Sequence, residues 1–393
     1  MEQAHALMLQ RNHELQLARH AVAGADADIA IAGAAPNPIL SLGSARLGPG
    51  AGPNADPLRK RAETSVGVSQ LFERGNKREI RVQAAQQNAA AARGDQLDVE
   101  RQQRVALGRA YYDLVLAQEK YRIATDTSGL FDKTLQAAER RVQAGDLSRA
   151  DLARLNVDAL RARNEVQSVQ LEQQKAQVAL AYLVGLERAA RSIRAAQGWP
   201  AIRPLAAASE IERVVERRAD VRAAQARLLA ADRNRDLALA LRTRDVTAGV
   251  QFDHTPADVT RNSVGFSVSV PLFTRYYFQG EIRRASADYL AAQAGLERTR
   301  AAAISEISGA TATLENAAER VRRFQNALLA AADQAANGAE LAYTRGAIGV
   351  MDLLDSRRQL YATRLESVAA LADYARAYAE WLAASESASE GNP

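Results

Sequence analysis

Val246-Thr-Ala-Gly-Val-Gln-Phe-Asp253 and Val264-Gly-Phe-Ser-Val-Ser-Val270, the latter running on into Pro271-Leu-Phe273, are the stretches that decide the fold. Val246, Ala248, Val250 and Phe252 alternate with Thr247, Gly249, Gln251 and Asp253. Val264, Phe266, Val268 and Val270 alternate in the same way with small or polar residues. A period of two predicts strands with one apolar face and one small or polar face. The first half carries a weaker counterpart, with Leu40 and Leu42 in one segment and Val66 and Val68 in the next. Such segments fit a transmembrane β-barrel with lipid outside and water inside. Taken alone, they equally fit a soluble hairpin with one face on a core.

Outward from the strands the pattern turns helical. Phe72 to Gly145 and Phe273 to Gly346 are both 73 residues, with no Pro between Pro57 and Pro200 or between Pro271 and Pro393. As continuous helix each interval would run ~110 Å. The return path comes in two pieces, Leu152 to Tyr182 and Glu210 to Arg242, separated by the breaker Gly198-Trp-Pro-Ala-Ile-Arg-Pro204. In the other half, Leu353 to Ala384 and an N-terminal helix, Glu2 to Ala34, play the same two parts. Leu152, Leu155, Ala159, Ala162, Val166, Val169, Gln173, Ala176, Leu180 and Leu183 advance by alternating threes and fours, a coiled-coil seam with room for close approach at Ala.

The halves repeat one another. Leu71-Phe72 recurs as Leu272-Phe273, Gly145 as Gly346 and Asp151-Leu152 as Asp352-Leu353, all 201 residues apart. Upstream the spacing is 206, pairing Asn12-His13-Glu14-Leu15 with Arg218-Ala219-Asp220-Val221 and Gly43 with Gly249. The surplus falls in the Gly/Pro-rich stretch from Arg46 to Pro57, where insertion costs little. Its G-x-G spacing is interrupted by prolines and followed by no helix start, so it is not read as a nucleotide loop. The expected organisation is a first structural repeat over 1–200, comprising an N-terminal helix, strands near 38–46 and 63–72, a long helix 76–143 and a return helix 150–186. The second repeat covers 201–393, with a helix 210–243, strands near 245–254 and 262–272, a long helix 279–345 and a return helix 351–385. Segments near 187–209 and 385–393 would be equatorial.

Composition narrows the function classes. The chain has 393 residues, 51 Lys plus Arg against 46 Asp plus Glu, 4 His and no Cys, for a net charge of +5. Without Cys there is no thiol catalysis, no Cys-ligated metal or cluster and no disulfide. Arg alternates with Glu and Asp, which describes solvated helical faces and not a nucleic-acid surface. No run of 18 apolar residues is present for a transmembrane helix. Met1 to Gln10 lacks signal-peptide character, so the expectation is a mature chain from which the signal peptide is absent. His5, His13 and His20 share a helix face but bring no carboxylate support, so no metal site is assigned. There is no Walker loop, no G-x-S-x-G and no H-E-x-x-H, so the chain is read as a non-enzyme without catalytic residues or cofactor.

The paired strand-to-helix passages, Val66-Gly-Val-Ser-Gln-Leu-Phe72 with Gly75-Asn-Lys-Arg78 and Ser267-Val-Ser-Val-Pro-Leu-Phe273 with Gly280-Glu-Ile-Arg283, carry a family resemblance. So do the paired hairpins, Gly145-Asp-Leu-Ser-Arg-Ala-Asp-Leu152 and Tyr343-Thr-Arg-Gly346 through Asp352-Leu-Leu-Asp355. Over essentially its whole length the chain resembles TolC-type outer-membrane factors, the exit ducts of bacterial tripartite efflux systems. The passages around Leu71-Phe72 and Phe273 through Gly280 most resemble the heavy-metal (cobalt–zinc–cadmium resistance) branch.

That resemblance implies a mainly α fold with a β-barrel part: a long α-helical coiled-coil barrel in the periplasm, and four strands per chain completing a twelve-stranded trimeric outer-membrane barrel. A homotrimer is physically reasonable, because four strands cannot close and open edges are intolerable in lipid. The implied partners are a periplasmic adaptor (a membrane fusion protein), an inner-membrane RND pump and outer-membrane lipid, with no nucleic acid. The implied activity is passive conduction of divalent heavy-metal cations to the outside. Asp352 and Asp355 match the acidic positions of the family's pore constriction, and would form two rings of carboxylates in a trimer. Gly145, Leu147, Ser148, Arg149, Asp151, Tyr343, Arg345 and Gly346 match the tip contacts and adaptor-docking positions. The family's tip latch joins a Tyr, an Arg and an Asp. Tyr343 and Asp151 match two of these, Ile348 stands at the Arg position, and Arg149 or Arg345 is the candidate substitute for pairing with Asp151. The alternatives are the same duct serving drug or small-molecule export, and a soluble periplasmic coiled-coil adaptor.

Overall fold

The computed structural model describes residues 1–45, 63–196, 198–202, 211–255 and 262–385. The Gly/Pro-rich stretch, the end of the breaker from residue 203, the link 256–261 and the tail beyond Ser385 lie outside the described residues. The order of elements is α1 (Glu2–Arg11), α2 (His13–Gly33), β1 (Ile39–Ala45), β2 (Glu63–Phe72), α3 (Lys77–Gln143), α4 (Arg149–Leu183), a 3-10 turn (Glu187–Ser192), α5 (Ile211–Arg217), α6 (Ala219–Ala240), β3 (Val246–His254), β4 (Asn262–Ser269), α7 (Gln279–Arg323), a π-helical turn (Phe324–Leu328), α8 (Leu329–Thr344) and α9 (Val350–Ser385). The chain divides into two compact units, each drawn from both halves of the sequence. One comprises Met1–Arg19, Asp95–Asp220 and Arg300–Pro393, the other His20–Gly94 and Val221–Thr299.

The second unit holds one antiparallel sheet in the order β1-β2-β3-β4. Its register places Leu40, Val68, Val250 and Phe266 in one cross-strand row, and Leu42, Val66, Phe252 and Val264 in the next. All eight are exposed. The opposite face carries Ser41, Gly67, Gln251 and Gly265 in one row and Gly43, Ser65, Asp253 and Ser263 in another. The alternation is as the sequence predicts, but among the described residues the apolar face meets no core, which argues against a soluble hairpin packed on its own protein. β4 ends at Ser269, short of the expected 272. Pro271 supplies no N–H to extend the ladder. Beyond the strand ends Lys77 Nζ contacts both Asp245 carboxylate oxygens at 2.8 Å, and the Arg74 N–H donates to Asp245 at 2.9 Å. Burial alone would raise the Asp245 pKa, and these donors outweigh it and hold the carboxyl below its usual range.

In the first unit, α3 contributes to two cores. Leu107, Tyr111, Leu114 and Val115 pack with Met8 and Leu15 from the N-terminal helices and Leu180 and Val184 from the end of α4. Phe131, Leu135 and Ala138 pack with Leu155 and Ala159 of α4 and Val350 and Leu354 of α9. A third core joins Leu314, Val321 and Phe324 to Ala370, Tyr374 and Ala377. Nowhere among the described residues is a helix long and apolar enough to cross a membrane.

Three expected helices are interrupted. The helix predicted over Glu2 to Ala34 breaks at Asn12, and the one predicted over 210–243 breaks at Arg218. Asn12 Oδ1 accepts from the Leu15 N–H at 3.2 Å, the N-cap contact that starts α2. The expected long helix 279–345 passes through the π-helical turn at Phe324–Leu328, whereas α3 remains one α-helix of 67 residues. The expected return helix 150–186 stops at Leu183, and Gly185 follows at φ +66.

Candidate functional site

The two helical hairpin turns are built by one device used twice. After α3, the Gly145 N–H donates to Val142 O at 3.1 Å and the Asp146 N–H to Arg141 O at 2.8 Å. After α8, Gly346 donates to Tyr343 O at 3.0 Å and Ala347 to Ala342 O at 2.8 Å. These are Schellman caps, and they require the left-handed backbone that Gly145 (φ +86) and Gly346 (φ +76) adopt without Cβ strain.

The helices that leave the turns begin with complementary halves of a capping box. Ser148 Oγ accepts the Asp151 N–H at 3.0 Å and its hydroxyl donates to Asp151 Oδ2 at 2.8 Å. At the second turn Gly349 has no side chain, and Asp352 Oδ2 instead accepts the Gly349 N–H at 3.2 Å. Asp352 is thereby the start of α9 in chemical terms, whatever else it does. Both carboxylates also lie at the positive end of a helix dipole.

Asp352 and Asp355 are exposed and one turn apart, while Leu353 and Leu354 between them are fully buried. Asp355 Oδ1 receives Arg358 at 2.9 Å, and the same guanidinium reaches Asp158 Oδ2 on α4 at 2.6 Å. The Asp158 side chain is only 7% exposed, so this bridge pins α9 to α4 through a buried acid. Arg357 turns the other way, to the Thr134 hydroxyl of α3 and to Glu340 of α8 at 3.4 Å. Neighbouring arginines therefore clamp α9 to three other helices.

Leu147 and Tyr343 are half-buried and pack against the core that Phe131, Leu155 and Leu354 share, which brings the two turns together. Gly145, Ser148, Arg149, Arg345 and Gly346 are exposed. The expected pairing of Asp151 with Tyr343 and with Arg149 or Arg345 is not formed within the chain. The Asp151 carboxylate is taken by Ser148 and by Arg154 at 3.5 Å. Tyr343 carries Arg141 over its ring, 5.2 Å from the centroid. The reason is local: a carboxylate at the third helical position reaches its own N-cap and the next turn more readily than a side chain across the tip.

The Arg358 bridge escaped the reading of the sequence. Its signal was Asp158, a carboxylate beside Leu155 and Ala159 on the buried seam of α4. No group of His, Asp or Glu among the described residues is placed to hold a metal ion. The arrangement offers exposed carboxylates and a braced turn.

Comparison with known proteins agrees with this geometry. The family model for outer membrane efflux proteins matches residues 5–186 and 211–385. The cobalt-zinc-cadmium resistance protein CzcC of Cupriavidus metallidurans is 27% identical over 328 residues, covering 80% of this chain and 75% of that one. The pyoverdine export outer membrane protein OpmQ of Pseudomonas putida is 27% identical over 263 residues, 64% of this chain and 54% of that one. Among solved structures, the outer membrane protein VceC of Vibrio cholerae superposes with a TM-score of 0.78 at 21% identity, over 98% of this chain and 95% of that one. The fold is mainly helical with four antiparallel strands, as in TolC-like outer-membrane channels, and such channels act in tripartite efflux as trimers and not as enzymes. The apolar sheet face without a core is thus a lipid face, the helices extend into the periplasm, and the chain belongs to the outer membrane efflux protein family.

Proposed function

We propose that this channel is the exit duct for divalent heavy-metal cations, working with an inner-membrane RND pump and a periplasmic adaptor. Asp352 and Asp355 are the pore constriction. The observation that carries the reading is their common exposure on one face of α9, next to the turn, with the buried Leu353 and Leu354 holding that face outward. In a homotrimer they give two rings of carboxylates, which raise the local concentration of cations. Gly145, Leu147, Ser148, Arg149 and Asp151 on one turn, with Tyr343, Arg345 and Gly346 on the other, form the adaptor-docking tip. Support for this comes from the stiffness of the turns, because a double Schellman cap presents a fixed outline to a partner. The halves 1–200 and 201–393 are read as two copies of one unit, supported by their matched caps and matched helix breaks.

The metal cargo is supported by the likeness to a cobalt-zinc-cadmium resistance protein. A second reading, export of a small organic chelator, is favoured by the likeness to a pyoverdine export protein. Growth of a deletion strain across divalent metals, dyes, detergents and siderophores decides between them. Selective sensitivity to Co, Zn, Cd or Ni supports the metal duct. Normal metal tolerance with a defect in chelator or drug export overturns that cargo and keeps the channel.

A further inference from the structure

The periplasmic end of the sheet carries an imbalance of charge. Three strand ends meet there, since Phe72 of β2 pairs with Val246 of β3 and Thr247 pairs with Ser269 of β4. The carboxylates in the adjoining links are committed. Glu73 is held by two contacts from Arg81 at 2.5 and 2.8 Å, Asp245 by Lys77, and Glu281 by the Tyr276 hydroxyl at 2.6 Å. Arg242, Arg244 and Arg275 are exposed, and none contacts a carboxylate among the described residues. Arg244 lies two residues before Val246 and so shares the lipid-facing parity of that strand. Its guanidinium stands 5.5 Å from the Phe273 ring centroid, and Phe273 is braced edge-on by Phe278.

Around these cations the surface is apolar and amphipathic. Phe72 is 54% exposed, Leu272 72%, and Tyr276 and Tyr277 about half. This surface continues directly from the lipid face of the strands. Phe72 and Val246 are cross-strand partners, and Arg244 stacks on Phe273, the residue after Leu272, so the apolar rim and this cation lie at one end of the sheet.

We propose that this collar is a binding site for anionic phospholipid of the inner leaflet of the outer membrane. Arg244, preoriented by its stack on Phe273, and Arg275 receive the headgroup phosphate, while Phe72 and Leu272 receive the chains. A free anion would use only the arginines. The apolar rim beside them fits a lipid, and lipid is what already surrounds this end of the protein. Cargo identity does not enter the inference, so a wrong cargo would leave it standing.

The test uses the full-chain trimer in nanodiscs of phosphatidylcholine containing about a third phosphatidylglycerol, extracted in mild detergent, with retained lipid counted by native mass spectrometry. Retained lipid is expected to be enriched in phosphatidylglycerol over the input. Arg244→Gln and Arg275→Gln each cut that enrichment about fivefold. Arg244→Lys keeps most of it, and a control in the other compact unit, Arg188→Gln with Arg191→Gln, leaves it unchanged. The trimer mass in the same spectrum reports assembly of each variant. Retained lipid matching the input, or enrichment lost equally in the control, overturns the site.

Discussion

Asn12 and Arg218, which the 206-residue spacing pairs in the sequence, are both buried polar residues at a helix break, and each donates to a carbonyl near the end of a return helix. Asn12 Nδ2 reaches Leu183 O at 3.0 Å and Arg218 reaches Ala384 O at 3.2 Å, and these two acceptors are themselves 201 residues apart. The chemistry differs. Asn12 is neutral and adds Gln103 on α3 at 3.2 Å, whereas Arg218 adds Asp220 at 2.8 Å and Glu306 at 2.7 Å. Burial disfavours the guanidinium charge, but its two carboxylate partners outweigh that and raise its pKa above the ordinary arginine value.

Arg218→Met is therefore expected to destabilise the protein by about 2–3 kcal/mol, because the contacts to Asp220, Glu306 and the Ala384 carbonyl are lost while Glu306 keeps Arg101. Asn12→Ala removes a cap and two neutral contacts and is expected to cost about 1–2 kcal/mol. Thermal unfolding in the same detergent ranks the two. Equal losses would show that the Arg218 charge network is not what fixes the second break.

Acid sensitivity follows from the lowered carboxylates. Asp245 is held below its usual range by Lys77, and Glu306 by Arg218 and Arg101, against a burial effect that alone would raise both. A carboxyl with a lowered folded-state pKa contributes stability that is full above its unfolded value of about 4 and is lost as pH falls through the folded value. Unfolding at decreasing pH is expected to steepen below about pH 4, and Asp245→Asn is expected to flatten that limb while lowering stability at neutral pH. Superimposable acid limbs for wild type and variant would dismiss the Lys77 pair as the cause.

Two glycines on the second hairpin should respond in opposite directions. Gly346 is left-handed at φ +76, and Gly346→Ala is expected to cost about 1–2 kcal/mol. Gly338 lies within α8 with open space where a Cβ would go, and Gly338→Ala is expected to gain about 0.5–1 kcal/mol. Hydrogen exchange across 338–350 reads both changes, and a protective effect from Gly346→Ala would refute the Schellman cap.

Conduction tests the acidic face. Asp355→Asn is expected to reduce cation preference in planar bilayers under a salt gradient, since it removes one ring of charge. Asp352→Asn is expected to reduce it as well, with an added cost of only about 0.3–1 kcal/mol, because the amide oxygen can still accept from Gly349 and only the negative charge at the start of α9 is lost. A reversal potential unmoved by the double variant would take Asp352 and Asp355 out of the pore.

Much of the fold was legible because it depends on period and spacing. Alternation around Val250 and Phe266 set the strands and their apolar face. Gly145 and Gly346 announced the turns, since an αL cap is a requirement of one residue on its neighbours. The breaks at Asn12 and Arg218 were not legible. A polar residue inside a helical pattern reads as a solvated position until its partners, more than 80 residues away, are known. The same holds at the tip, where Asp151 and Tyr343 were matched to one another by family likeness. Within the chain Asp151 is taken by Ser148, three residues away, and Tyr343 carries Arg141 over its ring.

The sequence by itself determined the element types, the strand register parity, the duplicated landmarks and the absence of thiol chemistry, because each is a local property of residue type and order. Tertiary structure decided which polar side chains are buried and what they hold: Arg218 on Glu306, Arg358 on Asp158, Lys77 on Asp245. Those choices depend on which surfaces lose water when distant segments pack, and the free energy of a charge is set by its surroundings and not by its place in the chain.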